Sequence, residues 1–279
     1  MQRPQRAASE TVIEASRGWR GFGFGELWGA RELIWVLCGR ELKSKYRQMA
    51  IGPLWILLRP ALSTLVFTVV FGGLAKLPSQ GIPYPLYALA GLLPWTFFLE
   101  AARAASGSLA DRLDVISKVH LPRMVLPVVA VLSAAVDFVG SLVLLAIVMA
   151  VYRVVPGASV LLLPAVLLFT AAVALAVGLW LATFSVRFRD LRFGVAYALF
   201  GLMFLTPVAY SPEVIPPAWL WLYQLNPAYW MVEGFRYAVL GVGSTPGLAC
   251  VAALAATALL LLSGAAVFRR TEASIVDQA

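Results

Sequence analysis

The sequence predicts an all-α integral membrane protein with six transmembrane helices, an N-terminal interfacial amphipathic helix and two short re-entrant helices before the last span. Of its 279 residues, 61% are hydrophobic and only 13% are charged, whereas soluble domains carry about 25% charged residues. Six apolar segments reach the roughly 20 residues that a helix needs to cross the hydrocarbon core. Lysine and arginine concentrate at the chain ends and in two connections between these segments. A chain with this composition buries its apolar surface in lipid.

Residues 1–52 are predicted to form a cytoplasmic segment that contains the interfacial helix. From Leu27 to Met49, apolar side chains alternate with charges, as in an amphipathic helix that lies on a membrane surface. Gly52 and Pro53 end this helix. No signal peptide is predicted, because the first apolar segment begins only after this long basic region.

Residues 53–268 are predicted to form the transmembrane domain, and residues 269–279 a polar cytoplasmic tail. Each span is a long apolar segment bounded by polar or helix-breaking residues. The six spans are Leu54–Leu74, Pro85–Ala105, Met124–Val151, a stretch within Val154–Val186, Phe193–Tyr210 and Gly247–Phe268.

Between the fifth and sixth spans, residues 212–243 are uncharged over much of their length and resemble a further span. Pro216 and Pro217 argue against a continuous helix. Asn226 followed by Pro227 is typical of an N-cap and a first helical residue. We therefore expect two short re-entrant helices here, about Pro217–Gln224 and Pro227–Leu240. The many aromatic side chains in this region suit a membrane interface.

The distribution of lysine and arginine fixes the predicted orientation. With six spans and both termini inside, the inner segments hold the nine N-terminal cations and eight others, whereas the outer segments hold only Lys76, Arg153 and Arg236. This asymmetry follows the positive-inside rule. The connection between the second and third spans therefore faces the cytoplasm.

That connection, residues 107–122, is predicted to form a short amphipathic helix. Leu109, Leu113 and Ile116 share one face, and Pro122 ends the helix. Charged side chains occupy the remaining positions, among them Asp111, Arg112 and Lys118. Two interpretations are open: a solvated loop helix without a role, or a docking element for a partner.

The sequence contains no recognisable catalytic apparatus. It has no GxxxxGK[ST] phosphate loop, so ATP is not bound in that way. His120 is the only histidine, and Cys38 and Cys250 belong to no CxxC or Cys/His pattern. We predict no catalytic residues, no metal site, no cofactor in this chain and no binding to nucleic acid. The formal charge of +8 is attributed to orientation and to anionic lipid.

Three groups of side chains have two interpretations each. Asp137, an acid in the third span, is either a functional group or a structural contact with the hydroxyls of Ser133 or Ser141. The aromatic side chains either anchor the chain in lipid or line a path on which sugar rings stack; the candidates are Phe67, Phe71, Trp95, Phe98, Trp219, Tyr223, Tyr229 and Trp230. The basic group either holds anionic lipid or contacts a lipid diphosphate headgroup; its members are Arg40, Lys43, Lys45, Arg47 and Arg59.

Six stretches carry a family resemblance at consistent spacing. They are RELKSKYRQMAIGPLWILLRP (40–60), GLLPWTFF (91–98), VISKVHLPRMVLP (115–127), SVRFRDLRF (185–193), TPVAYSPEVIP (206–216) and LNPAYWMVEGFRYAVLG (225–241). Together they resemble the membrane (permease) subunit of polysaccharide-exporting ABC transporters of the type-2 exporter superfamily, and they cover nearly the whole chain.

The resemblance implies a homodimer in the bacterial plasma (inner) membrane, with both termini cytoplasmic. It implies a separate nucleotide-binding subunit that binds ATP and Mg, with helix 107–122 docking on that ATPase. The implied substrate is a lipid-linked polysaccharide such as O-antigen or a teichoic acid. The alternatives are an ABC permease for drugs or small lipids, an ion-coupled transporter that uses Asp137, and a membrane-bound glycosyl or phosphoglycosyl transferase.

Overall fold

The computed structural model describes residues 24–47, 51–108, 122–187 and 191–276, which form helices joined by turns and include no strand. This confirms the predicted all-α class. The helices are α1 Phe24–Gly29, α2 Arg31–Tyr46, α3 Trp55–Phe67, α4 Tyr84–Gly107, α5 Val125–Val151, α6 Leu163–Arg187, α7 Leu191–Phe204, α8 Pro217–Leu225, α9 Pro227–Leu240 and α10 Leu248–Val276. A π-helix at Thr68–Leu74 extends α3, and a 3₁₀-helix at Ala158–Leu162 precedes α6.

Five of the helical segments in the described residues are long and apolar enough to cross a membrane. They are Gly52–Leu74, Tyr84–Gly107, Val125–Val151, Ala158–Ser185 and Leu248–Thr271. The predicted fifth span differs, because α7 has only 14 residues. At 1.5 Å per residue it is about 21 Å long, shorter than the roughly 30 Å of a hydrocarbon core.

The end of α7 has a local cause. Pro207 follows Thr206, and proline disfavours helical backbone at the preceding residue while having no N–H to donate. The chain turns instead, with the Val208 N–H donating to the Thr206 carbonyl at 2.6 Å. The predicted continuous segment to Tyr210 is therefore interrupted, and the backbone carbonyls of Pro207 and Val208 are released from helical pairing.

Helix α4 lies at the centre of the bundle. In the most apolar 18-residue stretch of α4, 78% is buried inside the protein, whereas the share for the Gly52–Leu74 segment is 11%. α4 packs against α3, α5, α6 and α9. Gly178 lets α6 approach closely, since a Cβ atom there would lie 2.5 Å from the Cβ atom of Ala105. Small residues at such contacts are typical of helix packing in membranes.

Helix α2 lies alongside the first half of α5. Ile34 and Cys38 of α2 are buried against Val125 and Val129. Further along both helices, the Ser133 hydroxyl donates to the Glu41 carboxylate at 3.4 Å, and it also contacts the Cys38 sulfur at 3.5 Å. The contacts advance in the same direction on both helices, so α2 follows α5 for several turns.

Two short helices, α8 and α9, precede α10. The side chain of Asn226 accepts a hydrogen bond from the Ala228 N–H at 3.0 Å, and Pro227 is the first residue of α9. The predicted cap and start of this helix are confirmed. α9 ends at Gly241, whose φ of 68° is the left-handed conformation that glycine adopts readily.

Candidate functional site

Asp137 is held by side chains of α2. Its carboxylate accepts from the Lys45 ammonium at 2.5 Å and from the Tyr46 hydroxyl at 2.5 Å. The expectation that Ser133 or Ser141 satisfies this carboxylate is wrong. Ser141 instead donates to backbone carbonyls, and Ser133 contacts α2. The acid in the third predicted span thus belongs to the α2–α5 contact.

The same contact perturbs the phenol of Tyr46. Burial, followed by the hydrogen bond to Asp137 and its negative charge, raises the pKa of Tyr46 well above its ordinary value. Tyr46 therefore stays protonated at neutral pH and donates to Asp137.

A cavity of about 130 Å³ opens beside this ion pair, at the junction of α2, α3, α4 and α5. Its wall carries four charged side chains: Lys45, Arg59, Glu100 and Asp137. Lys45 and Asp137 neutralise each other. Arg59 lies over the ring of Trp55, with its guanidinium carbon 6.0 Å from the ring centroid. The cavity has no net charge and is otherwise largely apolar.

The five cations predicted to meet a headgroup occupy two different places. Arg40, Lys43 and Arg47 are exposed and line one shallow depression on α2 together with Gly39 and Ser44. No acidic side chain lines it. Lys45 faces the other way, toward Asp137, and Arg59 lies in the cavity. Three cations of the predicted set thus form one basic patch, which we call the α2 basic patch.

The predicted aromatic path is also divided by the fold. Trp95, Phe98, Tyr229 and Trp230 are enclosed by the chain itself, with at most 4% of each residue exposed. Trp95 and Phe98 contact each other with ring centroids 5.3 Å apart. The other four remain accessible: Trp219 is 57% exposed, and Phe67, Phe71 and Tyr223 are partly buried.

An aromatic face on α7 was missed by the sequence interpretation. Tyr197, Phe200 and Phe204 are 79%, 59% and 53% exposed. Their spacing of three and then four residues places them on one face of a helix. That spacing is visible in the sequence and could have identified them.

A buried ion pair on α9 was also missed as a site. Arg236 donates to the Glu233 carboxylate at 2.8 Å, and neither side chain has exposed surface. The same guanidinium donates to the carbonyls of Pro207 and Val208 at 2.6 and 2.5 Å, and it lies 3.9 Å from the ring centroid of Tyr87. The sequence contains one indication of this ion pair, namely an acidic and a basic residue three positions apart in an apolar helix.

The predicted coupling residues Leu109, Asp111, Arg112, Leu113, Ile116 and Lys118 lie outside the residues that the structure describes. Within the described residues, no group of three or more His, Cys, Asp or Glu side chains is placed to hold a metal ion.

The five long helices and their exposed apolar side chains define a multi-pass membrane protein. The chain belongs to the ABC-2 type transporter family, whose sequence model matches residues 32–240. It is 34% identical over 240 residues to the O-antigen export system permease protein RfbA of Myxococcus xanthus, covering 85% of this chain and 91% of that protein.

Two further relatives extend the comparison. An O-antigen export system permease protein RfbA of Klebsiella pneumoniae is 24% identical over 206 residues, which cover 74% of this chain and 79% of the relative. The polysialic acid transport protein KpsM of Escherichia coli is 23% identical over 245 residues, which cover 85% and 92%.

Proposed function

We propose that this chain is the membrane subunit of an ATP-driven exporter that carries a lipid-linked polysaccharide from the cytoplasmic side across the bacterial plasma membrane. The observation that carries this proposal is the similarity to an O-antigen export permease over 85% of this chain. The similarity to a polysialic acid transport protein extends it to another polysaccharide. An O-antigen-like or teichoic-acid-like polymer on a lipid carrier is the substrate class we expect.

The proposed topology has six spans with both termini in the cytoplasm. α7 together with Leu205–Tyr210 is the proposed fifth span, and because α7 is short we expect it to end within the outer leaflet. α8 and α9 enter the outer leaflet and return, as helices of 9 and 14 residues can. The concentration of lysine and arginine in the inner segments supports this orientation.

ATP hydrolysis is assigned to a separate nucleotide-binding subunit that holds ATP and Mg, since the sequence has no phosphate loop. Two copies of this chain and two ATPase subunits form the proposed transporter. The helix at 107–122 is the proposed docking element, with the apolar side chains of Leu109, Leu113 and Ile116 in a groove of the ATPase.

The proposed headgroup contact is the α2 basic patch. Arg40, Lys43 and Arg47 are exposed and are not opposed by an acid in their depression. Guanidinium groups bind phosphate oxygens in pairs, and lysine adds a point charge. A diphosphate headgroup bound here would be held at the inner leaflet before the substrate enters the transport path. Sugar rings then stack on accessible aromatic side chains, for which Trp219 and Tyr223 are candidates.

The decisive experiment is export by a reconstituted system. Proteoliposomes that contain this chain and its ATPase receive a lipid-linked polysaccharide, and the polymer that reaches the opposite side is measured with a glycan-specific lectin. We expect export that depends on ATP and on both subunits. A variant ATPase unable to hydrolyse ATP is the control. ATP-dependent movement of small lipids or drugs without polymer export would contradict the proposed substrate class.

Topology is tested separately by labelling single cysteines introduced into an otherwise cysteine-free chain. Ser79→Cys should react with an impermeant reagent from outside, and Ser274→Cys only after the membrane is opened. A tail that is labelled from outside would contradict the six-span arrangement.

A further inference from the structure

The cavity at the junction of α2, α3, α4 and α5 contains two charges that no described residue pairs with. Lys45 and Asp137 form an ion pair, and Tyr46 completes the hydrogen bonding of that carboxylate. Arg59 and Glu100 line the same cavity but form no ion pair within 4.0 Å with any described residue. Opposite charges thus face one cavity from neighbouring helices without neutralising each other.

The cavity opens where α2 ends and α3 begins, since Tyr46, the last residue of α2, and Trp55, the first residue of α3, both line it. On α4, Glu100 is seven residues before the end of the helix at Gly107, about 10 Å at 1.5 Å per residue. Ionised side chains on membrane-spanning helices are costly unless they are paired or reach a polar partner. A ligand that carries both signs of charge would supply both partners.

The charges of the wall select among anionic, cationic and zwitterionic ligands. A diphosphate or an anionic headgroup would be attracted by Arg59 but repelled by the nearby Glu100 and Asp137 carboxylates. A simple cation would be attracted by the two carboxylates but repelled by Arg59 and Lys45. A zwitterion places its phosphate on the guanidinium and its ammonium on the carboxylate, and both contacts are charge-assisted hydrogen bonds.

We propose that this cavity binds the headgroup of a zwitterionic phospholipid with a primary ammonium group, of the phosphatidylethanolamine type. The phosphate lies on Arg59 and the ammonium donates to Glu100. The volume of about 130 Å³ suits a headgroup, whereas pockets for whole drug-sized ligands hold roughly 300–1,000 Å³.

A ligand can reach the two charges from outside the chain, because Arg59 and Glu100 are both exposed. Leu62, one turn beyond Arg59 on α3, is 49% exposed. This apolar side chain offers a surface on which an acyl chain of the bound lipid can lie.

A choline headgroup is disfavoured by the same geometry. Its quaternary ammonium has no N–H to donate to Glu100. Aromatic faces recognise such groups, but the rings of Trp55 and Tyr46 already lie against Arg59 and Lys45. The other two rings of the cavity, Phe97 and Phe138, are each only 4% exposed. The site therefore distinguishes a primary ammonium from a trimethylated one.

The test is native mass spectrometry of the purified full-length chain in detergent, titrated with short-chain phosphatidylethanolamine, phosphatidylglycerol or phosphatidylcholine. We expect phosphatidylethanolamine to bind at least fivefold more tightly than the other two. Tighter binding of phosphatidylglycerol, or equal binding of all three, would overturn the proposal. Free phosphoethanolamine that competes as well as the short-chain lipid would show a soluble ligand and overturn the assignment to lipid.

Two variants and a matched control locate the site. Glu100→Gln should lower the affinity for phosphatidylethanolamine to that for phosphatidylcholine. Arg59→Gln should weaken the binding of all three lipids. Arg103→Gln removes an exposed charge from the same helix outside the cavity and should leave the preference intact. A Glu100→Gln chain that keeps the preference would refute the site. Where a variant does not fold, the selectivity of the unmodified chain decides. Polysaccharide export is not needed for this binding, so failure here leaves the proposed function untouched.

Discussion

The guanidinium of Arg236 and the carboxylate of Glu233 form a 2.8 Å ion pair in which neither side chain has exposed surface. The remaining contacts of the pair join separate parts of the chain. Arg236 donates to the Pro207 and Val208 carbonyls beyond the end of α7, and Glu233 accepts from the Ser244 N–H at 3.1 Å. One helical turn of α9 thus fixes the turn after α7 and the connection to α10.

Removing one partner of this pair should destabilise the chain strongly. Arg236→Met leaves the Glu233 carboxylate buried and unpaired, which costs about 3–5 kcal/mol. The double variant Glu233→Gln/Arg236→Met should be the more stable of the two, because no buried charge remains. Thermal unfolding of the purified protein in detergent measures both. Glu213→Gln, at an exposed acid, is the control and should change stability by less than about 0.5 kcal/mol.

Gly91 should tolerate no side chain, because α4 passes directly beneath the Arg236 guanidinium. A Cβ atom at Gly91 would overlap the Nη2 atom of Arg236 and the carbonyl oxygen of Val208. We expect Gly91→Ala to lower the unfolding temperature and the yield of folded protein. Gly39→Ala in α2, where a Cβ atom meets nothing within 4 Å, should be neutral or stabilising by about 0.5–1 kcal/mol. Equal stability of the two variants would contradict this account.

The Asp137 carboxylate should hold α2 against α5. Asp137→Asn removes the charge that accepts from Lys45 and Tyr46, and hydrogen bonds to charged groups contribute roughly 1.5–3 kcal/mol. Detachment of α2 would then expose Cys38, which is 2% exposed. We expect Cys38 to react at least about tenfold faster with a thiol reagent, measured in a Cys250→Ser background. Glu32→Gln, at an exposed acid of α2, should leave the rate unchanged.

Accessible and enclosed aromatic side chains should respond differently to substitution. Trp219→Leu removes an exposed ring, so it should keep the protein level and lower polysaccharide export about two- to tenfold, as expected for a stacking contact of about 0.5–1.5 kcal/mol. Trp95→Ala removes an enclosed ring and should reduce folded protein, since such truncations cost about 3–5 kcal/mol. Full export by a Trp219→Leu/Tyr223→Leu chain would contradict a stacking role for these side chains.

The proposed coupling helix is tested by a charge on its apolar face. Burying one leucine is worth roughly 1.5–3 kcal/mol, so Leu113→Arg should weaken ATPase binding more than tenfold and abolish export, while the chain still inserts. Arg112→Ala, at the rim, should do much less. Co-purification of the ATPase subunit measures the effect. Undiminished binding would point to the N-terminal helix or the connection between α6 and α7 as the contact.

Properties that depend on neighbouring residues were available from the sequence. Hydropathy predicted the all-α class and located the five long apolar helices, because a helix satisfies its own backbone wherever water is absent. The Asn226 cap and the start of α9 at Pro227 were also predicted, because a helix cap depends only on the next two residues of the chain. The six motifs also predicted the family, which the match over residues 32–240 shows.

Properties that depend on distant contacts were decided by the tertiary structure. Lys45 and Asp137 are 92 residues apart, so only the packing of α2 on α5 reveals that they neutralise each other. The same packing separates Lys45 from the α2 basic patch, although a sequence shows all of these cations as one cluster. Pro207 shortens α7, but only the position of α9 supplies Arg236 to the released carbonyls. The charge and hydrophobicity of a residue can be read from the sequence. Whether its side chain is paired or buried depends on which helix packs against it in the folded chain.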